Sequence, residues 1–285
     1  MRYDLRFPVL ILALLIVGLM TVSTAALAPR VSPDIFQKQL IGVGLSLLPI
    51  GVMIWAGRDR LYKAGPALYI LALLLQASTF VIGKDVNGQQ NWIVLGPVQF
   101  QPLEFLKYSL VLFLPLIMRE GYRGLRSYFL PLLAFLPALG MVVVQDFGGA
   151  MILAAMFLAV LLVWKMPLWH VLLLLLAVGV AFPTVVFPRL KPYQQTRLTG
   201  FVNPYQDGKG GRGSGYQVIQ STIAIGSGGM MGKGYLKGTQ SHNGFLPEAH
   251  NDFAFATWAE EQGLVGALAV LLLYAGLVWG LANMA

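Results

Sequence analysis

The sequence contains no cysteine, only three histidines, and few charges: 11% of its 285 residues, against roughly a quarter in soluble domains. The first absence excludes disulfides, thiolate metal sites and cysteine nucleophiles. The histidines, His170, His242 and His250, are too scattered for a metal-ligand motif. The scarcity of charge excludes an ordinary soluble enzyme. What is abundant is apolar: 57% of residues are hydrophobic and mean hydropathy is +0.70, so the natural solvent for most of the surface is lipid. The net charge of +8 would suggest nucleic acid as a partner in a soluble protein. Here the position of each charge matters more than the sum.

A bilayer core ~30 Å thick needs about 20 apolar helical residues, fewer where a helix is sheltered by neighbours. Eight segments qualify, near 8–28, 39–57, 65–82, 104–118, 129–145, 149–164, 168–188 and 263–282. The predicted class is an all-α polytopic membrane protein with about eight transmembrane helices. Arg2 and Arg6 precede an apolar stretch ending in Ala25-Ala26-Leu27-Ala28, the outline of a signal peptide. Its apolar run exceeds a usual signal core and the following chain is itself polytopic, so it reads as an uncleaved first span.

Basic residues orient the chain. Arg2, Arg6, Arg58, Arg60, Lys63, Arg119, Arg123, Arg126 and Lys165 fall on one side, against Arg30, Lys38 and Lys84 in short loops of the other, which predicts a cytoplasmic N-terminus. Segment 189–262 then lies outside. It carries seven basic residues, but loops of its length weigh little in this rule.

That segment is the one long polar stretch, and such stretches are functional or disordered. Eleven glycines fall between Asp207 and Gly238, interleaved with Tyr216, Ile219, Ile223, Ile225, Met230 and Met231, which a simple linker does not need. Residues 217–225 suit a short helix at or dipping into the membrane surface. The run Gly226-Ser227-Gly228-Gly229-Met230-Met231-Gly232-Lys233-Gly234 resembles a P-loop superficially. It lacks glycine at Ser227 and a hydroxyl residue at Gly234, so nucleotide hydrolysis is not expected. Two readings remain: an amide nest for an anionic group beside Lys233, or a tight structural turn.

Ionisable groups in or beside spans are expensive and point to function. Glu104 and Lys107 share one helical face and can neutralise each other, which fits an internal ion pair or a functional one. Asp146, beside Gly148 and Gly149, can cap the sixth helix or meet substrate. Asp252 follows His250 and Asn251 near the start of the last span. A partly desolvated carboxylate at a membrane face is suited to general-base work, with a helix cap as the alternative.

Several blocks of residues form one recognisable pattern. They are Asn91-Trp92-Ile93, Gln101 through Lys107, Gln145-Asp146-Phe147-Gly148-Gly149, Gly215-Tyr216-Gln217 through Gln220-Ser221, and Ala224 through Gly229. The longest runs from Gly232-Lys233-Gly234 through Gly238-Thr239-Gln240 into Leu246-Pro247-Glu248-Ala249-His250-Asn251-Asp252-Phe253 and Ala259-Glu260-Glu261. In these blocks the chain resembles the SEDS family (shape, elongation, division and sporulation), whose branches are RodA, FtsW and SpoVE, and within it the rod-shape branch most. The resemblance implies a peptidoglycan glycosyltransferase that polymerises lipid II, the undecaprenyl-pyrophosphate-linked disaccharide-peptide, at the outer face of the bacterial cytoplasmic membrane during cell elongation. It also implies a class B penicillin-binding protein as partner, with other elongation-complex membrane proteins, and no nucleic acid. It marks Asp252 as essential and Glu104 with Lys107 as a functional pair. Departures from the family pattern are Leu103, the surroundings of Asp146, Asn251 and Ala254. Members usually have ten spans, so 1–285 reads as a single SEDS-type domain shortened at its C-terminus, with 189–262 as a long loop between spans seven and eight.

The mechanism this implies uses Asp252 to deprotonate an acceptor hydroxyl, which attacks the donor anomeric carbon with inversion. Arg197, Lys233 and Arg212 are candidates to receive the pyrophosphate, with Gln220, Ser221 and His250 as further substrate contacts and Asp146 and Glu248 in support. Magnesium or manganese is a candidate helper, although no carboxylate cluster marks its site. A glycosidase would need two flanking carboxylates, for which Glu248 with Asp252 is an unsupported pair. The competing functions are a lipid II flippase, lined by Glu104, Lys107 and Asp146, and a scaffold that only recruits a transpeptidase.

Overall fold

A computed structural model of the chain describes residues 5–29, 31–86, 89–95, 98–118, 124–164, 166–190, 195, 199, 200, 203–206, 213 and 215–283. The architecture is helical: α1 (Arg6–Ala25), α2 (Ile35–Ile82), α3 (Pro102–Ile117), α4 (Phe129–Gln145), α5 (Phe147–Val163), α6 (Leu168–Ala181), α7 (Tyr216–Ser227), α8 (Thr239–His242) and α9 (Ala254–Ala282). Helix α2 is broken at Gly57, where φ is 71° and ψ 163°. With that break, α1, the two halves of α2, α3, α4, α5, α6 and α9 coincide with the expected spans. Among the described residues, five helical stretches are long and apolar enough to cross a membrane, and α5 is a shorter apolar helix.

The sequence reading missed a small sheet. Strands β1 (Lys84–Val86), β2 (Gln89–Leu95) and β3 (Val98–Phe100) form an antiparallel meander, with Ile93 opposite Phe100 and Val94 opposite Gln99. Its signals were the dipeptides Asn87-Gly88 and Gly96-Pro97, which lie outside the described residues, flanking a run of β-branched residues.

The chain divides into two compact units, Met1–Leu48 with Pro183–Ala285, and Pro49–Phe182. In the second unit, Leu103, Leu106, Leu110 and Leu114 form one stripe of α3 at helical spacing and are almost fully buried. They pack with Ala134, Ala138 and Val142 of α4 and Ala150, Leu153 and Leu161 of α5, while Phe135 stacks on Phe157 at 4.0 Å. In lipid, apolar burial drives little, so dispersion and interhelical hydrogen bonds carry the association. Gln145 supplies such bonds, its Oε1 accepting from Gln76 Nε2 at 2.7 Å and from Thr79 Oγ1 at 2.9 Å.

In the first unit α1 runs against α9. Gly276 and Gly280, four apart, let α1 approach closely: a Cβ on Gly280 would lie 2.9 Å from the Phe7 ring. Many apolar side chains of these helices, such as Leu272 and Trp279, face outward, as lipid-facing residues should.

Candidate functional site at the head of the last helix

Helix α9 begins at Ala254 after a turn, and its N-cap residue, Phe253, offers no side-chain cap. Asp252 therefore does not cap this helix. Its carboxylate is exposed, and among the described residues no hydrogen bond or ion pair engages it. This corrects the expectation of a partly desolvated group. The turn that carries Asp252 is nonetheless fixed. Thr257 Oγ1 donates to Ala249 O at 3.3 Å and to Phe253 O at 3.4 Å, and the Phe253 amide donates to Glu248 O at 3.3 Å. Asn251 Nδ2 donates to Glu248 Oε2 at 2.7 Å and lies 3.0 Å from His250 Nε2, which makes a short polar chain beside Asp252.

Two helical turns on, Glu260 is fully buried. A buried carboxylate survives only if its lone pairs are filled. Oε1 accepts from Lys233 Nζ at 2.6 Å, Thr239 N at 2.8 Å, Gln240 N at 2.9 Å and Thr239 Oγ1 at 3.1 Å. Oε2 accepts from Gln240 N at 3.2 Å and Ser241 N at 3.4 Å. These amides open α8, so a carboxylate from another helix satisfies its N-terminal donors. Glu261, also buried, accepts from Thr24 Oγ1 of α1 at 3.0 Å and Gly238 N at 3.3 Å. The two acids clamp α1, α8 and α9 together around the loop that leads to Asp252.

Lys233 thus belongs to this internal cage, its ammonium shared between Glu260 and Thr239 Oγ1. The lysine offered as a pyrophosphate ligand is therefore engaged inside the protein, with a quarter of its side chain exposed. The backbone of the glycine run is engaged as well. Lys233 N donates to Glu260 O at 3.1 Å and Gly234 N to Glu261 O at 2.9 Å, while Leu264 N and Val265 N return to Gly229 O and Met230 O. The loop fills the backbone groups freed where α9 breaks at Gly263. Gly232 and Gly263 interlock, with φ of 77° and 67°, and a Cβ on Gly232 would lie 2.0 Å from Glu261 O. The tight-turn reading holds, and the amides are not available as an anion nest.

In the other unit Lys107 Nζ meets Glu104 Oε1 at 2.7 Å, the lysine largely buried and the glutamate half exposed. Asp146 caps α5, accepting from Gly149 N at 2.9 Å, and its Oδ2 accepts from Asn91 Nδ2 of β2 at 3.2 Å. Ser221 bonds within α7 to Val218 O at 2.8 Å, and Gln220 is half-buried on the same helix. Arg197 and Arg212 lie outside the described residues. Among the described residues no group of three or more His, Asp or Glu is placed to hold a metal ion.

Glu260 and Glu261 belong to the motif blocks, but their structural role is visible only in the fold. Adjacent acids at the threshold of an apolar span were the available signal.

The FtsW/RodA/SpoVE cell cycle protein family matches residues 5–285. The chain belongs to this family. A probable peptidoglycan glycosyltransferase FtsW of Thioalkalivibrio is 34% identical over 98% of this chain and 72% of its own length. The peptidoglycan glycosyltransferase MrdB of Escherichia coli is 36% identical over 82% of this chain and 63% of its own length. The match to an FtsW of Nitrosococcus halophilus covers 55% of that protein. A chain in a solved peptidoglycan synthase complex, described as coordinating polymerization and crosslinking, superposes with a TM-score of 0.80 at 37% identity, covering 99% of this chain and 77% of the other. The rod shape determining protein RodA of Thermus thermophilus superposes at 0.68 with 28% identity, over 99% and 74%. The FtsW/RodA/SpoVE assignment bears out the resemblance read from the motif blocks, and with it the reading of an integral, all-α, polytopic membrane protein.

Proposed function

We propose that the chain is a peptidoglycan glycosyltransferase of the rod-shape branch that polymerises lipid II at the outer face of the cytoplasmic membrane, its N-terminus cytoplasmic, working with a class B penicillin-binding protein. The observation that carries the reading is Asp252: an exposed, unengaged carboxylate on a turn held by Thr257 and by the Phe253-to-Glu248 backbone bond. A base must be free to take a proton and held still enough to meet the acceptor.

Asp252 deprotonates the acceptor sugar hydroxyl. The hydroxyl oxygen forms a bond to the donor anomeric carbon as the bond to undecaprenyl pyrophosphate breaks, with inversion, and the pyrophosphate departs with the bonding electrons. The polar chain Glu248–Asn251–His250 neighbours Asp252 in the same turn and would orient sugar hydroxyls. With Lys233 committed to Glu260, the developing pyrophosphate charge falls to Arg197 and Arg212.

A flippase has no use for a free base, and Asp146, its best intramembrane candidate, is occupied as a helix cap. Detergent-solubilised protein with its penicillin-binding partner should lengthen labelled lipid II into glycan chains, since no membrane remains to transport across. Absence of chains there, with lipid II crossing intact in vesicles, would overturn the enzyme in favour of the transporter.

A further inference from the structure

The functional reading leaves the charged step between the two halves of α2 without a task. Past the break at Gly57 the chain presents Arg58, Asp59, Arg60 and Lys63 in quick succession, with long apolar helix on either side. A polar step between two spans stands at the membrane interface. There, a cavity of about 460 Å³ is lined by Arg58, Asp59, Tyr62, Lys63, Pro115 and Leu116. Its wall is firm: a Cβ on Gly65 would already lie 3.1 Å from Leu112 O, so α2 and α3 are in close contact just beyond it.

Three features make this cavity more than an orienting charge. Among the described residues no carboxylate forms a salt bridge with Arg58, Arg60 or Lys63, and the cavity lining holds two cations against the single carboxylate of Asp59. Arg58 is held 5.5 Å over the Tyr62 ring and Arg60 5.5 Å over Trp55, which pre-orders both guanidinium groups without using their forks. Finally, Ile54 and Trp55, just before the Gly57 break, are strongly exposed, an apolar surface along which acyl chains can lie.

We propose that this cavity binds the phosphodiester of an anionic phospholipid, with Arg58 and Lys63 on the phosphate and Asp59 accepting from a hydroxyl of the head group. The carboxylate makes the site selective, because a bare anion meets its repulsion while a head group with a donor does not. Acyl chains then rest on the Trp55 side of α2.

The test reconstitutes the full chain in nanodiscs holding equal phosphatidylglycerol and phosphatidylcholine and counts retained lipid by native mass spectrometry. Phosphatidylglycerol should be retained preferentially. Arg58→Ala with Lys63→Ala should weaken retention about twenty-fivefold, at about fivefold per cation, while the charge-keeping pair Arg58→Lys and Lys63→Arg retains it. Equal retention of both lipids, or unchanged retention in the alanine pair, overturns the site. A second arm titrates inorganic phosphate against the detergent-solubilised chain. Displacement of phosphatidylglycerol by equimolar phosphate would show a free-phosphate site and overturn the lipid assignment.

Discussion

Lys233 Nζ lies 2.6 Å from Glu260 Oε1, across 27 residues of sequence, and this contact joins the glycine-rich loop to the last helix. Lys233→Met leaves a fully buried carboxylate with its backbone donors but no counter-charge. Breaking such a pair by removing one partner costs about 3 kcal/mol. Lys233→Met should therefore lower the unfolding midpoint in detergent, and Lys233→Met with Glu260→Gln should cost less than the sum of the single changes. Strict additivity would mean that the pair is not coupled.

Gly232 allows a second comparison. Its φ of 77° and the 2.0 Å approach of Glu261 O leave no space for a methyl group, so Gly232→Ala should destabilise by more than about 2 kcal/mol. Gly42, inside α2 with nothing within 4 Å, is the control: Gly42→Ala should raise stability by up to about 1 kcal/mol. Thermal unfolding of the two variants side by side checks this.

Asp146 holds the start of α5 through Gly149 N. Asp146→Ala should cost about 1–2 kcal/mol, while Asp146→Asn, which still accepts a hydrogen bond, should cost less. Equal loss in both would point to the charge and not the cap.

Glu104 and Lys107 separate stability from activity. Because the glutamate is half exposed, breaking the pair should cost under about 1 kcal/mol. If the pair serves the reaction, Lys107→Met should nonetheless reduce polymerisation strongly at nearly unchanged unfolding midpoint. Full activity in that variant would reduce the pair to helix packing.

The membrane helices were legible as long apolar runs, with Pro102 opening α3 and Asp146 separating α4 from α5. The meander was not, since three short strands carry too few residues for a period of two to stand out from the apolar background. Asp252 was legible as a lone acid near a span, and its exposure was not. Lys233 was read as a ligand because its tertiary partner, Glu260, is contributed by a helix that sequence spacing cannot bring alongside it.

A free carboxylate at Asp252 that acts as the base in glycan polymerisation cannot be replaced by its amide. The most direct measurement is the rate of labelled lipid II polymerisation by Asp252→Asn, with its unfolding midpoint recorded in the same preparation. The asparagine is nearly isosteric, at an exposed position with no partner to lose, so the fold should be intact and polymerisation should fall by at least about 10²-fold. Polymerisation at the wild-type rate by the folded variant would contradict the account.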